Sequence, residues 1–415
     1  MFFLCSLPSY LLLTLIAGRQ APERLMKILQ AHNFYQLSGG EDTVVANERK
    51  LLEDNGHHVI PFYKHNNQLK GSVIEKLKLI HSTSWSKATF DEVDQLIQKT
   101  KPDICHVHNF LPLISPSIYD ACIKNDVPVI QTLHNYRLIC ANGLFSRNGE
   151  ICEDCLGKSP MGAVMKKCYR NSIPQTYLVA KMLLKHTEKG TWSNKVDRYI
   201  CVTDFARNKF IQHGLPKSKL IVKSNFVSDQ PTDLKKGDYL IFVGRLEKAK
   251  GAELLIEIAP RLNCTIKVIG EGELEDRLSD APNIELVGKK SHSETMKYIA
   301  NAKALLFPSL LYEGMPMTIL EAFSVKTPVI ASNIGAMKSL IEHGVTGLLF
   351  EPNLPNDLLK AISHVGQSEL KEISNLAYQE FKDKYSSETN YRSLLSLYQE
   401  LADRKNEGIK NHTIS

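Results

Sequence analysis

Short apolar runs alternate with longer amphipathic stretches along nearly the whole chain. In the first half the runs fall near Lys27–Asn33, His58–His65, Asp103–Asn109, Pro128–His134 and Asp197–Thr203. In the second half they fall near Tyr239–Gly244, Thr265–Gly270, Ile284–Val287, Ala304–Pro308 and Pro328–Ala331. Runs of this length between turn residues predict buried strands. Between them, segments such as Asp42–Asp54 and Ala252–Leu262 carry helical periodicity. Regular alternation of the two predicts an α/β protein with parallel sheets. Two such halves predict a ligand cleft between domains, at the C-terminal ends of the strands. The linker is expected near Ser224–Lys236, where Asp, Gln, Pro and Thr gather.

Both ends of the chain read differently from the middle. Phe2 to Ala17 is apolar, but it is short for a membrane span and interrupted by Pro8. It also lacks the basic start of a signal peptide. Met26-Lys-Ile-Leu-Gln-Ala-His32 reads as an opening strand, so residues 1–25 are expected to be an extension outside the native start. A hydrophobic anchor is the competing reading. Tyr391–Arg404 predicts a final helix, and the polar tail Lys405–Ser415 is expected to be unstructured.

A length of 415 residues suffices for two domains with separate cores. The net charge of +6 is mild. It permits attraction to a nucleotide or anionic lipid, and no Lys/Arg block or RNA-binding aromatic pattern points to nucleic acid.

Candidate chemistry centres on Glu313-Gly-Met-Pro-Met-Thr-Ile-Leu-Glu321. It follows the apolar run ending at Ser309, so Glu313 should sit in a strand-to-helix loop and Glu321 inside the helix. Pro316 is expected in the first helical turn, where its missing N–H is not needed. The Gly314 and Met315 amides would then favour an anion at the helix start. Val243-Gly244-Arg245-Leu246 closes another strand, with Lys250-Gly251 opening its helix; Arg and Lys there suit a phosphate. Ser38-Gly39-Gly40 follows the first strand, and glycines let backbone approach a ligand. His134 ends a strand. His106 and His108 lie two apart and share one strand face; His106 reads as a core histidine, and no third metal ligand is suggested for the pair.

These motifs resemble those of retaining GT-B glycosyltransferases, specifically glycosyltransferase family 4, from about Met26 to the C-terminal region. The resemblance implies two Rossmann-like domains, 26–224 for the acceptor and 225–390 for the nucleotide-sugar, with residues 391–415 crossing back as a helix and polar tail. It implies that Arg245 and Lys250 bind the donor diphosphate, that Glu313 and His134 contact and orient the sugar, and that Glu321 accepts from the ribose. Gly39, Gly40, His108, Gly314, Met315, Pro316 and Val287 would line the substrate site. Two departures are visible: Pro112 is displaced from the family's position after His108, and Asn225-Phe-Val-Ser-Asp229 carries Phe226 where the family has Gly.

The expected activity is retaining, hexosyl-type transfer to an acceptor hydroxyl in bacterial surface polysaccharide assembly, such as capsule or lipopolysaccharide. No cofactor is expected for the chemistry. The acceptor would be a sugar or lipid-linked saccharide, and the location cytoplasmic, with peripheral contact at the inner membrane face. Rival readings are a GT-B nucleotide-sugar epimerase and a non-enzymatic zinc-dependent binding module.

Four of the nine cysteines, Cys140, Cys152, Cys155 and Cys168, form C-x11-C-x2-C-x12-C. That spacing suits a tetrahedral structural zinc; free thiols in a reducing compartment are the alternative. Beside the insert, Lys166, Lys167, Arg170, Lys181 and Lys185 mix with Tyr177, Leu178, Val179, Met182 and Leu183. That mixture reads as a core-packing helix with a solvated Lys face, or as a lipid-facing surface.

Overall fold

The computed structural model describes residues 24–36, 39–69, 82–228, 230, 237–363 and 367–413. Most of the N-terminal extension, Ser38 and part of the expected linker therefore lie outside the described residues. The first sheet is built from β1 (Lys27–Phe34), β2 (His58–His65), β3 (Ile104–Asn109) and β4 (Val129–Leu133). A small hairpin follows, β5 (Ser146–Arg147) and β6 (Glu150–Ile151), and then β7 (Arg198–Cys201) and β8 (Leu220–Val222) complete the sheet. Its order is β2-β1-β3-β4-β7-β8, parallel throughout. The second sheet contains β9 (Tyr239–Val243), β10 (Thr265–Ile269), β11 (Ile284–Leu286), β12 (Ala304–Phe307), β13 (Val329–Ser332) and β14 (Leu348–Phe350). Its order is β11-β10-β9-β12-β13-β14, again parallel. The architecture is α/β of the GT-B type: two Rossmann-like sheets with helices on their faces.

Each sheet reverses its direction of growth once, between β1 and β3 in the first and between β9 and β12 in the second. Loops leaving neighbouring strands part there and open a crevice, the usual ligand position in such sheets. The segments after β9 and β12 are those that carry Lys250 and Glu313.

The strands are apolar because both faces are covered. All five residues of β4 and all four of β12 are buried. β8 and β14, three residues each, were not anticipated, although the equally short β11 was. The helix expected over Ala252–Leu262 stops at Ile258 and tightens into a 3-10 turn at Ala259–Arg261. Pro260 has no N–H to continue the ladder. Pro316 stands one residue before the helix Met317–Ser324, at ψ 95°, and not inside its first turn.

The last helix, Ser387–Thr413, crosses back to the first sheet. Tyr391, Leu394, Leu395, Tyr398 and Leu401 form one core with Met26, Ile28, Ile104, Ile130 and Ile200. Its backbone runs on through most of the tail expected to be unstructured; a helix nucleated by packing extends at little cost through polar residues. The basic helix Ile173–Glu188 buries Val179, Met182 and Leu183 in the first core and leaves Tyr177 and Lys181 exposed.

Leu394 is fully buried in the crossing core. Leu394→Ala is expected to cost about 2–5 kcal/mol, read as a lowered denaturant midpoint. An unmoved transition would show that this helix does not dock on the first sheet.

Candidate active site

The loops after β9 and β12 lie against each other because Gly251 allows it. Gly251 has φ +76°, and a Cβ there would overlap the Pro308 carbonyl. Leu310 N–H donates to the Ala249 carbonyl at 2.9 Å and completes the junction. This brings Lys250 Nζ to 2.7 Å from Glu313 Oε1, and the Ser309 hydroxyl donates to the same oxygen at 2.6 Å. Both ion-pair partners are mostly buried, so solvent screens the pair less than a surface one. Arg245 does not join them: its side chain is 62% exposed and pairs with Glu247 at 2.7 Å.

Glu313 has φ +48°, a left-handed conformation uncommon for a residue with a side chain. The surroundings hold it there. The Tyr136 hydroxyl donates to the Glu313 carbonyl at 2.9 Å, and Ala336 N–H donates to the Tyr312 carbonyl at 2.9 Å. Next to it, Gly314 rests against the first domain so closely that a Cβ would overlap the His134 carbonyl oxygen. The Glu313 loop is therefore gripped from the end of β4 as well as from its own domain.

His134 is half-buried and heads a chain of polar groups. Its Nε2 lies 3.0 Å from His108 Nδ1, with the rings stacked at 5.3 Å. His108 Nε2 lies 3.1 Å from Glu48 Oε1, and His106 Nδ1 lies 3.0 Å from the same oxygen. Burial, reinforced by His106, pushes His108 down to about 3. Burial, reinforced by His108 and His32, holds His134 well below the usual imidazole range. Both rings are then neutral at pH 7. One nitrogen of the His108–His134 pair donates to the other, and His108 Nε2 faces both Glu48 and the Gln30 amide, 3.5 Å away.

Glu48 supplies the third metal-capable side chain that sequence spacing did not suggest; its carboxylate and the His106 and His108 nitrogens lie within 4.8 Å of one another. Its members sit in a buried network, in which Glu48 Oε1 lies close to both imidazoles without a well-directed hydrogen bond. His106 also meets Tyr398 at 2.6 Å and Thr132 at 2.7 Å, and Lys223 stands 3.8 Å from Glu48. His106 is thus a hydrogen-bonded core histidine.

Sequence reading also passed over Glu41. Gly39 caps the helix Gly40–Asp54 and donates its N–H to Asp42 Oδ2 at 3.2 Å, while a Cβ on Gly39 or Gly40 would meet open space. Glu41 points inward from the first turn. Its Oε2 accepts from Asn135 at 3.1 Å and from Tyr35 at 3.3 Å, and its Oε1 is buried with no partner. Burial, then repulsion from Asp42, push Glu41 up to about 8. The available signal was an acidic pair directly after two glycines.

The remaining expected residues are dispersed around this centre. Glu321 lies in the helix Met317–Ser324, 3.6 Å from His292 Nδ1, with its carboxyl raised by burial against the pull of His292. Met315 turns to the interdomain segment, where its sulfur accepts from Asn225 N–H at 3.2 Å. Val287 follows β11, half-buried against the second core. Cys140, Cys152, Cys155 and Cys168 are unpaired thiols around one cavity of about 260 Å³.

The profile described as "Glycosyltransferase Family 4" matches residues 38–230, and that of "Glycosyl transferases group 1" matches residues 225–382. The chain belongs to glycosyltransferase family 4. An uncharacterized glycosyltransferase of Methanocaldococcus jannaschii is 27% identical over 394 residues, spanning 91% of this chain and 99% of its own length. The amylovoran biosynthesis glycosyltransferase AmsK of Erwinia amylovora is 28% identical over 221 residues, spanning 47% of this chain and 54% of its own. In fold, the chain is similar to Anabaena HepE in complex with UDP and glucose, with a TM-score of 0.59, 16% identity and coverage of 90% and 100%. In this family 4 glycosyltransferase the Lys250–Glu313 pair and the His134 end of β4 meet at the junction of the two domains.

A carboxyl raised from 4.5 to about 8 keeps its proton in the folded state after the unfolded chain has lost it. Its contribution to stability therefore falls as pH rises across that window. Glu41→Gln mimics the protonated form, so the melting temperature of the variant relative to the parent is expected to climb between pH 5 and 8. A pH-independent difference would contradict a protonated Glu41.

Proposed function

We propose that this glycosyltransferase moves a sugar, with retention of anomeric configuration, from a nucleotide-diphospho-sugar to an acceptor hydroxyl during surface polysaccharide assembly. The observation that carries this reading is the Lys250–Glu313 pair at the switch point of the second sheet, with Gly314 seated on His134. Lys250 offers a compact cation to the diphosphate, and the exposed Arg245 would exchange its Glu247 partner for the phosphate as a planar fork. Glu313 and the neutral His134 orient the sugar. Glu321 accepts from the ribose. Gly39, Gly40, His108, Gly314, Met315, Pro316 and Val287 border the substrates.

In the front-face course, the bond from the anomeric carbon to the diphosphate oxygen breaks as the acceptor oxygen adds on the same face. The leaving phosphate takes the acceptor proton, giving a glycoside and a nucleoside diphosphate. Lys250 stabilises the charge that grows on the leaving group. No step calls for a metal. HepE with UDP and glucose supports the donor class, and AmsK supports the polysaccharide setting.

No helix among the described residues is long and apolar enough to cross a membrane. Met165, Ile173 and Tyr177 are exposed beside Lys166, Lys167, Arg170 and Lys181. That surface supports peripheral contact with anionic lipid at the inner membrane face, where a lipid-linked acceptor would be presented.

A donor panel read by nucleoside diphosphate release, with and without lipid extract, tests the proposal. One donor is expected to be consumed, and Lys250→Ala and Glu313→Gln should each lower turnover by about 100-fold or more, the scale of losing one preorganised electrostatic contact. The product's anomeric proton should report retention. Undiminished release in both variants, or an inverted product, would sink the reading.

A further inference from the structure

We infer that Cys140, Cys152, Cys155 and Cys168 bind one zinc ion, closing a structural node in the insert that follows His134. Between β4 and the helix beginning at Ile173, regular structure is limited to the hairpin β5–β6 and a 3-10 turn at Pro160–Ala163. A stretch this long without an organising element is uncommon in a compact domain. Yet its four cysteines converge on one cavity of about 260 Å³, which Asp154 and Lys166 also line.

Each cysteine arrives through a defined turn. Cys140 N–H donates to the Tyr136 carbonyl at 2.9 Å, and Cys152 N–H donates to the Phe145 carbonyl at 2.7 Å. Leu156 N–H closes the Cys152–Cys155 knuckle on Glu153 at 2.9 Å, and Cys168 N–H donates to Ala163 at 3.3 Å. Cys140 and Cys155 are buried, Cys152 and Cys168 half-buried, and none forms a disulfide. Half-burial leaves a path for an ion to enter.

The donor set selects the metal. Four thiolates favour tetrahedral zinc, with Zn–S near ~2.3 Å, and leave no open position for catalysis. Among the described residues, three ligand atoms already lie within 4.8 Å of one another only at Glu48, His106 and His108. The sulfurs therefore move inward across their cavity on binding. The node sits where rigidity matters. Phe145 packs on Tyr136 at 4.7 Å and edge-on to Tyr312 at 6.3 Å. Glu153 pairs with Lys209 at 2.6 Å and with the Tyr312 hydroxyl. Zinc would fix a bracket reaching from the end of β4 to the residue before Glu313.

The test is metal analysis of the full chain purified without chelator, together with cobalt(II) reconstitution and thiol titration. One zinc per chain, lost in Cys152→Ser and Cys155→Ser and kept in Cys264→Ser, is expected. Cobalt should give the visible spectrum of a tetrahedral tetrathiolate site, which reports the ligands in the parent chain even if the serine variants misfold. Metal-free folded protein with four titratable thiols in the insert would overturn the inference. So would disulfides within the quartet, or zinc retained when both knuckle cysteines are replaced.

Discussion

The carbonyl of His134 lies so close to Gly314 that no side chain could stand between them. This contact joins the end of β4 in one sheet to the loop after β12 in the other, and the remaining geometry is arranged around it. Tyr136, two residues beyond His134, reaches the Glu313 carbonyl. Glu313 can then hold φ +48°, at an expense of about 1–3 kcal/mol for such a conformation. Its carboxylate is turned onto Lys250, which reaches it because Gly251 lets the two loops of the second sheet touch. Second-domain and first-domain groups thus meet through backbone contacts, which leave less freedom than side-chain contacts would.

Behind this junction, the first domain handles its buried carboxylates in two ways. Glu48 stays ionised: despite burial, the imidazoles of His106 and His108 hold it well below the usual carboxylate range. Glu41 has only Asn135 and Tyr35 as close donors and one orphaned oxygen, so burial wins and it keeps its proton to about 8. One carboxylate lies charged against the imidazoles behind His134, and the other presents a neutral hydrogen-bonding group near the same strand end.

Much of the fold could be read from the chain because strands buried on both faces leave continuous apolar runs, as at Ala304–Phe307. β8 and β14 were missed, whereas β11, also three residues long, was legible. The loops holding Lys250 and Glu313 were legible as strand ends carrying charge and glycine. Glu48 was not, since its partners lie roughly sixty residues away and its helix position reads as an ordinary polar one. Tyr136 was illegible for the same reason, its acceptor being 177 positions along the chain. Local patterns report local geometry; contacts made by topology appear only once the sheets are assembled.

The most direct measurement is donor turnover by Gly314→Ala, with melting temperature and circular dichroism recorded on the same sample. An added methyl must push the Glu313 loop off the His134 carbonyl while leaving both sheets intact. Displacements of about 1 Å at a reacting centre cost about 100-fold in rate. A loss of that size in a folded protein is the predicted result. Turnover at the parent rate would show that the junction of Gly314 and His134 does not govern the site.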